Sequence, residues 1–251
     1  MQKNPGWRQV LFCLVAGVPA VVAIGCSGDG GVATSVQGIQ ADSLGAGGES
    51  YIGCSTFDSN PSPIQMTTFQ NGQLIGGAPY DGTTDTRIES LHKTTNFGTD
   101  TFLSVKSSAS SLLRWSVTAI PSNATVVDAC IELVVDDPSV RAFSAFAVKR
   151  DWTETGATWN NATTLVPWGL PGANDTTDRD NTPVASFVKT TSGPVLMLLS
   201  VSLAQQWVAN NSANKGIIVT NAAANDGISF ESSESIDPAS RPILRVLYTL
   251  P

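Results

Sequence analysis

The chain has 251 residues, of which 41% are hydrophobic and only 14% are charged, and its formal net charge is −7. This length and apolar fraction suffice to bury one sizeable core and exclude an intrinsically disordered protein. The negative charge argues against nucleic acid as a partner, because surfaces that bind phosphates are basic. Abundant Thr, Ser, Gly, Asn and Val, with few charged residues, are typical of an all-β secreted domain.

Residues 1–25 have the features of a secretion signal. Lys3 and Arg8 precede an apolar run that ends in small residues and is too short to span a membrane comfortably. Cys26 follows directly, which resembles the lipobox of bacterial lipoproteins, where this cysteine receives a diacylglycerol thioether and becomes the new N-terminus. We therefore expect an extracellular or cell-envelope protein, lipid-anchored at Cys26 and held at the outer membrane. Simple cleavage of the signal is the alternative.

The segment after the signal is expected to hold a folded domain away from the membrane. Loss of residues 1–26 removes two basic residues and no acidic one, which changes the net charge from −7 to −9. Such a chain is repelled by anionic lipid, so attachment is expected through the lipid anchor alone. Residues 26–48, rich in Gly and Ser, predict a flexible tether. Residues 49–83, broken up by Pro and Gly, predict an irregular extension packed on a main domain at 84–251.

Two cysteines, Cys54 and Cys130, remain in the globular part. In an oxidising compartment this number predicts one disulfide between them. Cys130 shares its strand face with polar residues, so we expect it on an outer or partly covered face that the Cys54 region could cross. Two buried free thiols are the alternative.

Apolar residues at alternate positions predict the strands of the main domain. The predicted strands are 86–91, 102–106, 111–117, 125–135, 142–148, 195–201, 216–220, 227–231 and 242–249. In the strand 125–135, Val127 and every second residue after it are expected to face the core. Ser202 and Gln205 have capping-box spacing and predict one short helix that begins at Ser202. The predicted fold is all-β, an antiparallel two-sheet β-sandwich (jelly-roll-like) with one short helix.

Residues 150–160 concentrate two tryptophans, Trp152 and Trp159, around a Thr-Glu-Thr-Gly turn. The chain leaves a sheet here into a structured corner, which suits a binding site. The alternative, that both indoles simply close the end of the β-core, is favoured on general grounds.

The long loop 163–182 carries several acidic residues. Oxygen ligands from Asp175, Asp178 and Asp180 could hold a structural calcium ion, although their spacing is not that of an EF-hand. A solvated acidic loop is the favoured alternative, and no other cofactor is expected. The chain also has a single histidine, His92, and no nucleophile elbow, P-loop or dinucleotide fingerprint. Since no Asp or Glu stands in an evidently apolar setting, we do not expect an enzyme.

Short motifs occur along the chain in an order that resembles a known family. They are Thr86-Arg87-Ile88, Asn96-Phe97-Gly98, Leu112-Leu113-Arg114-Trp115, Ala129-Cys130-Ile131-Glu132-Leu133, Trp152-Thr153-Glu154, Thr158-Trp159-Asn160, Gln206-Trp207, Gly216-Ile217 and Arg241-Pro242-Ile243-Leu244. Together they resemble the DNRLRE domain, grouped with carbohydrate-binding module family 96, over about residues 84–250. The resemblance implies a secreted β-sandwich that binds acidic or neutral polysaccharide.

Candidate sugar-binding residues follow from chemistry, because aromatic rings stack on sugar faces and amides hydrogen-bond to hydroxyls. The candidates are Trp168, Trp152, Trp159 and Asn160. Trp168 lies outside the motifs and is expected to have the most open ring, whereas packing explains Trp152 and Trp159 equally well. The expected function is a non-catalytic, cell-surface polysaccharide-binding module of a secreted lipoprotein. A structural or adhesive domain without glycan binding is the alternative.

Overall fold

The computed structural model describes residues 63–221, 223 and 225–251. These belong to the second of two compact units, Gln40–Pro251. The predicted signal peptide, the lipidation site at Cys26 and the tether lie outside the described residues. Among the described residues, no helix has the length and apolar character needed to cross a membrane.

Thirteen strands and one α-helix make up the regular structure of the described part. The strands are β1 Ile64–Phe69, β2 Leu74–Ile75, β3 Ala78–Pro79, β4 Thr83–Glu89, β5 Phe102–Val105, β6 Ala109–Trp115, β7 Thr125–Val135, β8 Ser139–Val148, β9 Arg179–Lys189, β10 Gly193–Leu198, β11 Ile217–Thr220, β12 Ile228–Glu231 and β13 Ile243–Thr249. The helix α1 is Val201–Ala209, and short 3₁₀ turns lie at Asn211–Ala213 and Pro238–Ser240.

The strands form two antiparallel sheets that enclose one main core. Sheet I has the order β1-β13-β7-β12-β5, with β10 also paired to β7, and sheet II has the order β4-β6-β11-β8-β9. The strands β2 and β3 form a separate small hairpin. The predicted all-β, two-sheet sandwich with one short helix is confirmed.

Strand β7 supplies the longest apolar face of the main core. From Ala129 to Val135 every second residue is buried in that core, as the alternation predicts. Val127, by contrast, is exposed and Val126 is buried, so the prediction for Val127 is wrong. The register with β13 shifts between Leu247 and Tyr248 and skips Val127. Such a bulge adds one residue to β7 and reverses the alternation before it.

The helix α1 follows Ser200, which is its N-cap, and not Ser202 as the capping-box pattern predicts. The Gln205 side chain has another role, because it accepts a hydrogen bond from the Val126 N–H (2.8 Å) and donates one to the Ala124 carbonyl (3.1 Å). Gln205 therefore ties the helix to the start of β7, and this tertiary contact replaces the local cap.

The sandwich begins earlier than predicted. Strand β1 lies within the predicted extension 49–83, yet it pairs with β13 along its whole length. Strand β9 is a second strand that the pattern does not predict. It forms an edge of sheet II with most side chains outside the core, so it lacks the apolar alternation that marks a half-buried strand.

A second hydrophobic core lies on the other side of sheet II, away from sheet I. Ile88, Leu112 and Ile218 point outward from their strands and pack beneath the corner and loop that follow β8. That loop contributes apolar side chains of its own, which are Trp152, Ala157, Ala162, Trp168 and Ala173. Residues 152–173 therefore form a folded cover on the sheet although they contain no regular strand.

Cys130 lies on the face of sheet I that is turned away from the main core, as predicted. It is fully buried, however, and not partly covered, because it packs with Leu247 and the flanking Leu196 and Leu198. It has a free thiol in this structure. Cys54 lies outside the described residues, so the disulfide between them stays a prediction.

Candidate functional site

A polar groove opens where the ends of β4 and β6 meet the corner after β8 and the turn before β11. Its volume is about 390 Å³. The polar groove is lined by Gly82, Thr84, Arg114, Trp115, Ser116, Asp151, Asn211, Ser212, Asn214 and Lys215.

Hydrogen bonds between the Asn214 side chain and the backbone fix part of the lining of the groove. Asn214 donates to the Trp115 carbonyl (2.7 Å) and accepts from the Gly216 N–H (2.9 Å), which fastens the turn before β11 to the end of β6. Gly216 adopts a positive φ of 75°, and a Cβ there would collide with the Leu113 carbonyl. Only glycine fits this close approach, and the adjacent Lys215 is therefore held at the rim.

Two cations and one carboxylate give the groove its electrostatic character. Lys215 pairs with Asp151 and donates to the Ser212 carbonyl (2.7 Å). Arg114 stands opposite Thr84 in the sheet, with its guanidinium 5.0 Å from the centre of the Trp152 ring. Burial lowers the pKa of Arg114, and the charges of nearby carboxylates act against this effect. The groove thus carries more positive than negative charge in a chain whose net charge is negative.

A second cavity of about 360 Å³ adjoins the polar groove and shares Gly82 and Ser116 with it. The β2–β3 hairpin and Tyr80 form its far wall. Tyr80 is half-buried, and its ring lies edge-on to Phe69 with 5.4 Å between the centroids. Burial raises the pKa of Tyr80. The second cavity is less polar than the groove, since Ile75, Ala78, Pro79 and Ala119 also line it, and it places a half-buried aromatic ring next to the groove.

Close to the groove, three acidic side chains from distant parts of the chain form a carboxylate cluster. Asp85 on β4, Glu154 in the corner and Glu234 after β12 each place a carboxylate oxygen within 4.8 Å of the others. Burial, and then the charge of Glu234, raise the pKa of Asp85 well above its usual range. Burial likewise raises the pKa of Glu154. The expectation that no acidic residue stands in an apolar setting is therefore wrong.

The sequence profile of carbohydrate-binding module family 96 matches residues 78–247. The chain belongs to this family. The matched segment contains the whole lining of the polar groove and all three residues of the carboxylate cluster. No curated protein matches the chain in sequence.

Two predicted stacking residues of this family 96 module lie in the second core. Trp152 is 1% exposed and Trp168 is 4% exposed, so the expectation of an open Trp168 ring is wrong. Their indole N–H groups donate to the Lys215 carbonyl (2.8 Å) and the Thr158 carbonyl (2.9 Å). Each ring is covered and its one polar atom is satisfied, which is the packing role that the alternative interpretation describes.

The other two candidates, Trp159 and Asn160, are half-buried and do not line the polar groove. The Trp159 ring packs so closely over Gly172 that a Cβ there would lie 2.6 Å from it. Asn160 uses its backbone, donating to the Lys93 carbonyl (3.1 Å) and accepting from the Trp168 N–H (3.1 Å). Both residues hold the loop in place. Within the described part, the four candidates are brought together as a structural corner, and the groove lies beside it.

The structure does not bring Asp175, Asp178 and Asp180 together as a calcium site. Asp178 is fully buried and accepts hydrogen bonds from the Arg150 guanidinium (2.5 Å) and the Gly169 N–H (2.9 Å). Asp180 pairs with Lys149 at 3.3 Å, and Asp175 caps the Thr177 N–H at 2.8 Å. Among the described residues, the only group of three acidic side chains with converging oxygens is the carboxylate cluster. The predicted ligands are thus used for local structure.

Sequence reasoning missed both the polar groove and the carboxylate cluster. The groove residues come from four separate segments and form no motif. For the cluster one signal was available in the sequence. Asp85 and Arg87 are two positions apart on β4 and therefore point to the same side of the strand, between the two sheets. An aspartate buried there requires a partner.

Proposed function

We propose that this chain is a non-catalytic polysaccharide-binding module and that the polar groove binds the glycan. The observation that supports this most directly is that a preformed polar groove lies inside the segment that matches the carbohydrate-binding family. The groove and the second cavity share Gly82 and Ser116, and this adjacency suits an extended chain of sugar rings better than a single small molecule.

The chemistry of the lining supports a sugar ligand. Sugar hydroxyls both donate and accept hydrogen bonds, and the lining offers ammonium and guanidinium donors, amides and hydroxyl groups. Lys215 and Arg114 can also bind a carboxylate of an acidic sugar. Tyr80, which is not among the residues predicted from the sequence, provides the aromatic surface of the adjoining cavity.

The lining also supports binding without hydrolysis. Glycoside hydrolysis requires two carboxylates on either side of the scissile bond. Asp151 is the one carboxylate among the lining residues, and it is paired with Lys215. Glu154 and Asp85 belong to the neighbouring carboxylate cluster and do not line the groove.

Affinity electrophoresis of the exported chain in gels that contain a neutral β-glucan, xylan or polygalacturonate tests the proposal. We expect retardation by at least one polysaccharide, and Lys215→Ala should weaken binding about tenfold, which is the effect of losing one charge-assisted hydrogen bond. Lys93→Ala is the matched control, because it removes the same charge from an exposed position outside the groove.

Two results would contradict the proposal in different ways. Equal affinity of Lys215→Ala and Lys93→Ala would move the site away from the groove and leave glycan binding intact. Absence of retardation by a wide set of acidic and neutral polysaccharides would favour the alternative function, a structural or adhesive cell-surface domain.

We further propose that the module is exported and anchored through a lipid on Cys26, which places it in the cell envelope or outside the cell. The support is the order of basic residues, apolar run and cysteine at the start of the chain. The intact mass of the protein purified from membranes should equal that of a chain starting at Cys26 plus the lipid. A different N-terminus or an unmodified Cys26 would refute anchoring.

The proposed Cys54–Cys130 bridge would fasten the N-terminal segment to sheet I. The burial of Cys130 against Leu247 fits a residue that is protected on this face. Alkylation of the denatured, unreduced protein should leave both cysteines unlabelled, and prior reduction should add two labels. Labelling of Cys130 without reduction would show two free thiols.

A further inference from the structure

The carboxylate cluster has more acceptor oxygens than the described protein supplies with donors. Asp85 accepts the Ser233 N–H through Oδ2 (2.8 Å), but its other oxygen, Oδ1, is buried without a hydrogen-bond partner among the described residues. Oε2 of Glu234 is in the same situation. Asp85 is only 1% exposed. Such buried, unpaired acceptors are costly unless another group binds them.

Among the described residues, no cation is paired with the cluster. Within residues 63–221, 223 and 225–251, none of the ion pairs includes Asp85, Glu154 or Glu234. Arg114 acts on Glu154 only as a nearby charge. Three carboxylates that converge without a paired cation repel each other strongly when they are ionised.

Local hydrogen bonds hold the three side chains in this arrangement. Glu154 accepts the Asp85 N–H through Oε1 at 2.7 Å, which joins the corner to the edge strand β4. Glu234 accepts the Ser233 hydroxyl at 2.9 Å, and the Ser232 hydroxyl donates to the Asp100 carbonyl at 2.7 Å. The oxygens therefore belong to a built site and are not placed together by flexible surface chains.

We infer that Asp85, Glu154 and Glu234 form a binding site for one calcium ion. The ion would bind the unpaired oxygens and neutralise the repulsion, and it would join β4, the corner after β8 and the segment after β12. This site is independent of the glycan proposal, because none of its three residues lines the polar groove.

The ligand chemistry favours calcium over magnesium. Calcium binds carboxylate oxygens at about 2.3–2.6 Å in a flexible geometry, so three carboxylates whose positions the fold already fixes can hold it. Magnesium binds at about 2.0–2.1 Å and requires a tighter octahedron. An all-oxygen set without histidine or cysteine also disfavours zinc and other transition metals.

The test is calorimetric titration of the EDTA-treated, dialysed full chain with CaCl₂, accompanied by thermal unfolding. We expect a stoichiometry of one and a Tm that rises by about 5–10 °C at a calcium concentration one hundred times the Kd. Magnesium at the same concentration should give a clearly smaller shift. Absence of both heat and Tm shift would overturn the inference.

Variants locate the ion. Glu234→Gln and Asp85→Asn should each weaken calcium binding more than about tenfold, since each removes a charged ligand. Asp180→Asn is the matched control from the acidic loop and should bind calcium as the unmodified chain does. Calcium binding that survives Glu234→Gln but is lost in Asp180→Asn would overturn the assignment and place the ion in the loop. If Asp85→Asn fails to fold, Glu234→Gln and the titration of the unmodified chain decide.

Discussion

The acidic loop around Asp178 and the carboxylate cluster around Asp85 solve the problem of a buried carboxylate in opposite ways. Asp178 and Asp85 are equally inaccessible, at 0% and 1% exposure. Asp178 receives a guanidinium from Arg150 and backbone N–H groups from its own loop. Asp85 receives one N–H group from Ser233 and faces two further carboxylates.

This difference shows that closeness in sequence is a poor guide to a metal site. The loop residues Asp175, Asp178 and Asp180 follow one another and attract a calcium interpretation, but each has its own donor or cation. The cluster residues are about seventy and eighty positions apart and form no motif, but none of them is in an ion pair within the part of the chain that the structure describes. Whether a buried carboxylate is available to bind a metal ion depends on how many hydrogen-bond donors and cations already surround it.

The largest expected effect concerns the cover that carries the acidic loop. Trp168→Ala should destabilise the protein by about 3–5 kcal/mol, because it opens a cavity in the second core and strands the Thr158 carbonyl. Urea unfolding followed by far-UV circular dichroism measures this. Trp168→Phe keeps the ring packing and should lose less than half as much; equal stability of Trp168→Ala and the unmodified chain would show that the ring is not part of a core.

Asp178→Asn should be the next largest change, with a loss of about 3 kcal/mol in the free energy of unfolding. The amide cannot neutralise Arg150 and presents an N–H₂ group to backbone donors that require an acceptor. Calcium should make no difference to this loss. A calcium-dependent effect at Asp178 would remove the contrast between the two acidic regions.

The same substitution at Asp85 should have the opposite sign when calcium is absent. In EDTA, Asp85→Asn should stabilise the protein by about 1 kcal/mol, because the amide oxygen still accepts the Ser233 N–H while the repulsion from Glu154 and Glu234 is reduced. In saturating calcium the unmodified chain should become the more stable of the two. Parallel urea unfolding in both buffers measures the crossover, and destabilisation in EDTA would contradict it.

The periodic parts of the sandwich could be predicted from the sequence because a half-buried strand alternates its side chains. Strand β7 ends where predicted, and the one error within it, Val127, arises from a bulge that depends on the register with β13. Strand β9 could not be found in this way, since only Phe187 of this edge strand is fully buried in the main core and one such residue gives no alternation.

The sequence predicted the region of the candidate site, at the corner after β8, but not the residues that line it. A tryptophan in a loop can either stack on a ligand or pack over a core. Which role Trp168 has depends on whether the outer face of sheet II is apolar and needs a cover, and this is a tertiary feature. The burial and convergence of Asp85 and Glu154 depend on the pairing of β4 at the sheet edge, which no local pattern records. The groove charges depend in the same way on tertiary contacts.

A smaller effect on stability is expected at Glu89, a partly buried carboxylate that, like Asp178, has its own hydrogen-bond donors. Burial acts to raise the pKa of Glu89, but hydrogen bonds from His92 and Arg87 outweigh it and hold the pKa below its usual value. Glu89 therefore stabilises the protein above its unfolded pKa of about 4.3, and this stability is lost as pH falls through the lower folded pKa. Glu89→Gln should cost at most about 1 kcal/mol at pH 7. Urea unfolding at pH 7 and pH 3 should show this cost shrinking at the lower pH, and an equal cost at both would contradict the assignment.

The smallest expected effect on the free energy of unfolding is at Asp180, which serves as the reference for an exposed carboxylate. Asp180 is exposed and forms an ion pair with the equally exposed Lys149 at 3.3 Å. Exposed pairs of this kind contribute little, because water and salt screen the charges and the side chains lose freedom when they pair. Asp180→Asn should therefore change the free energy of unfolding by no more than about 0.5 kcal/mol, both in EDTA and in calcium. Urea unfolding in the two buffers measures this. A loss that appears only in calcium would identify Asp180 as a ligand and return the metal site to the acidic loop.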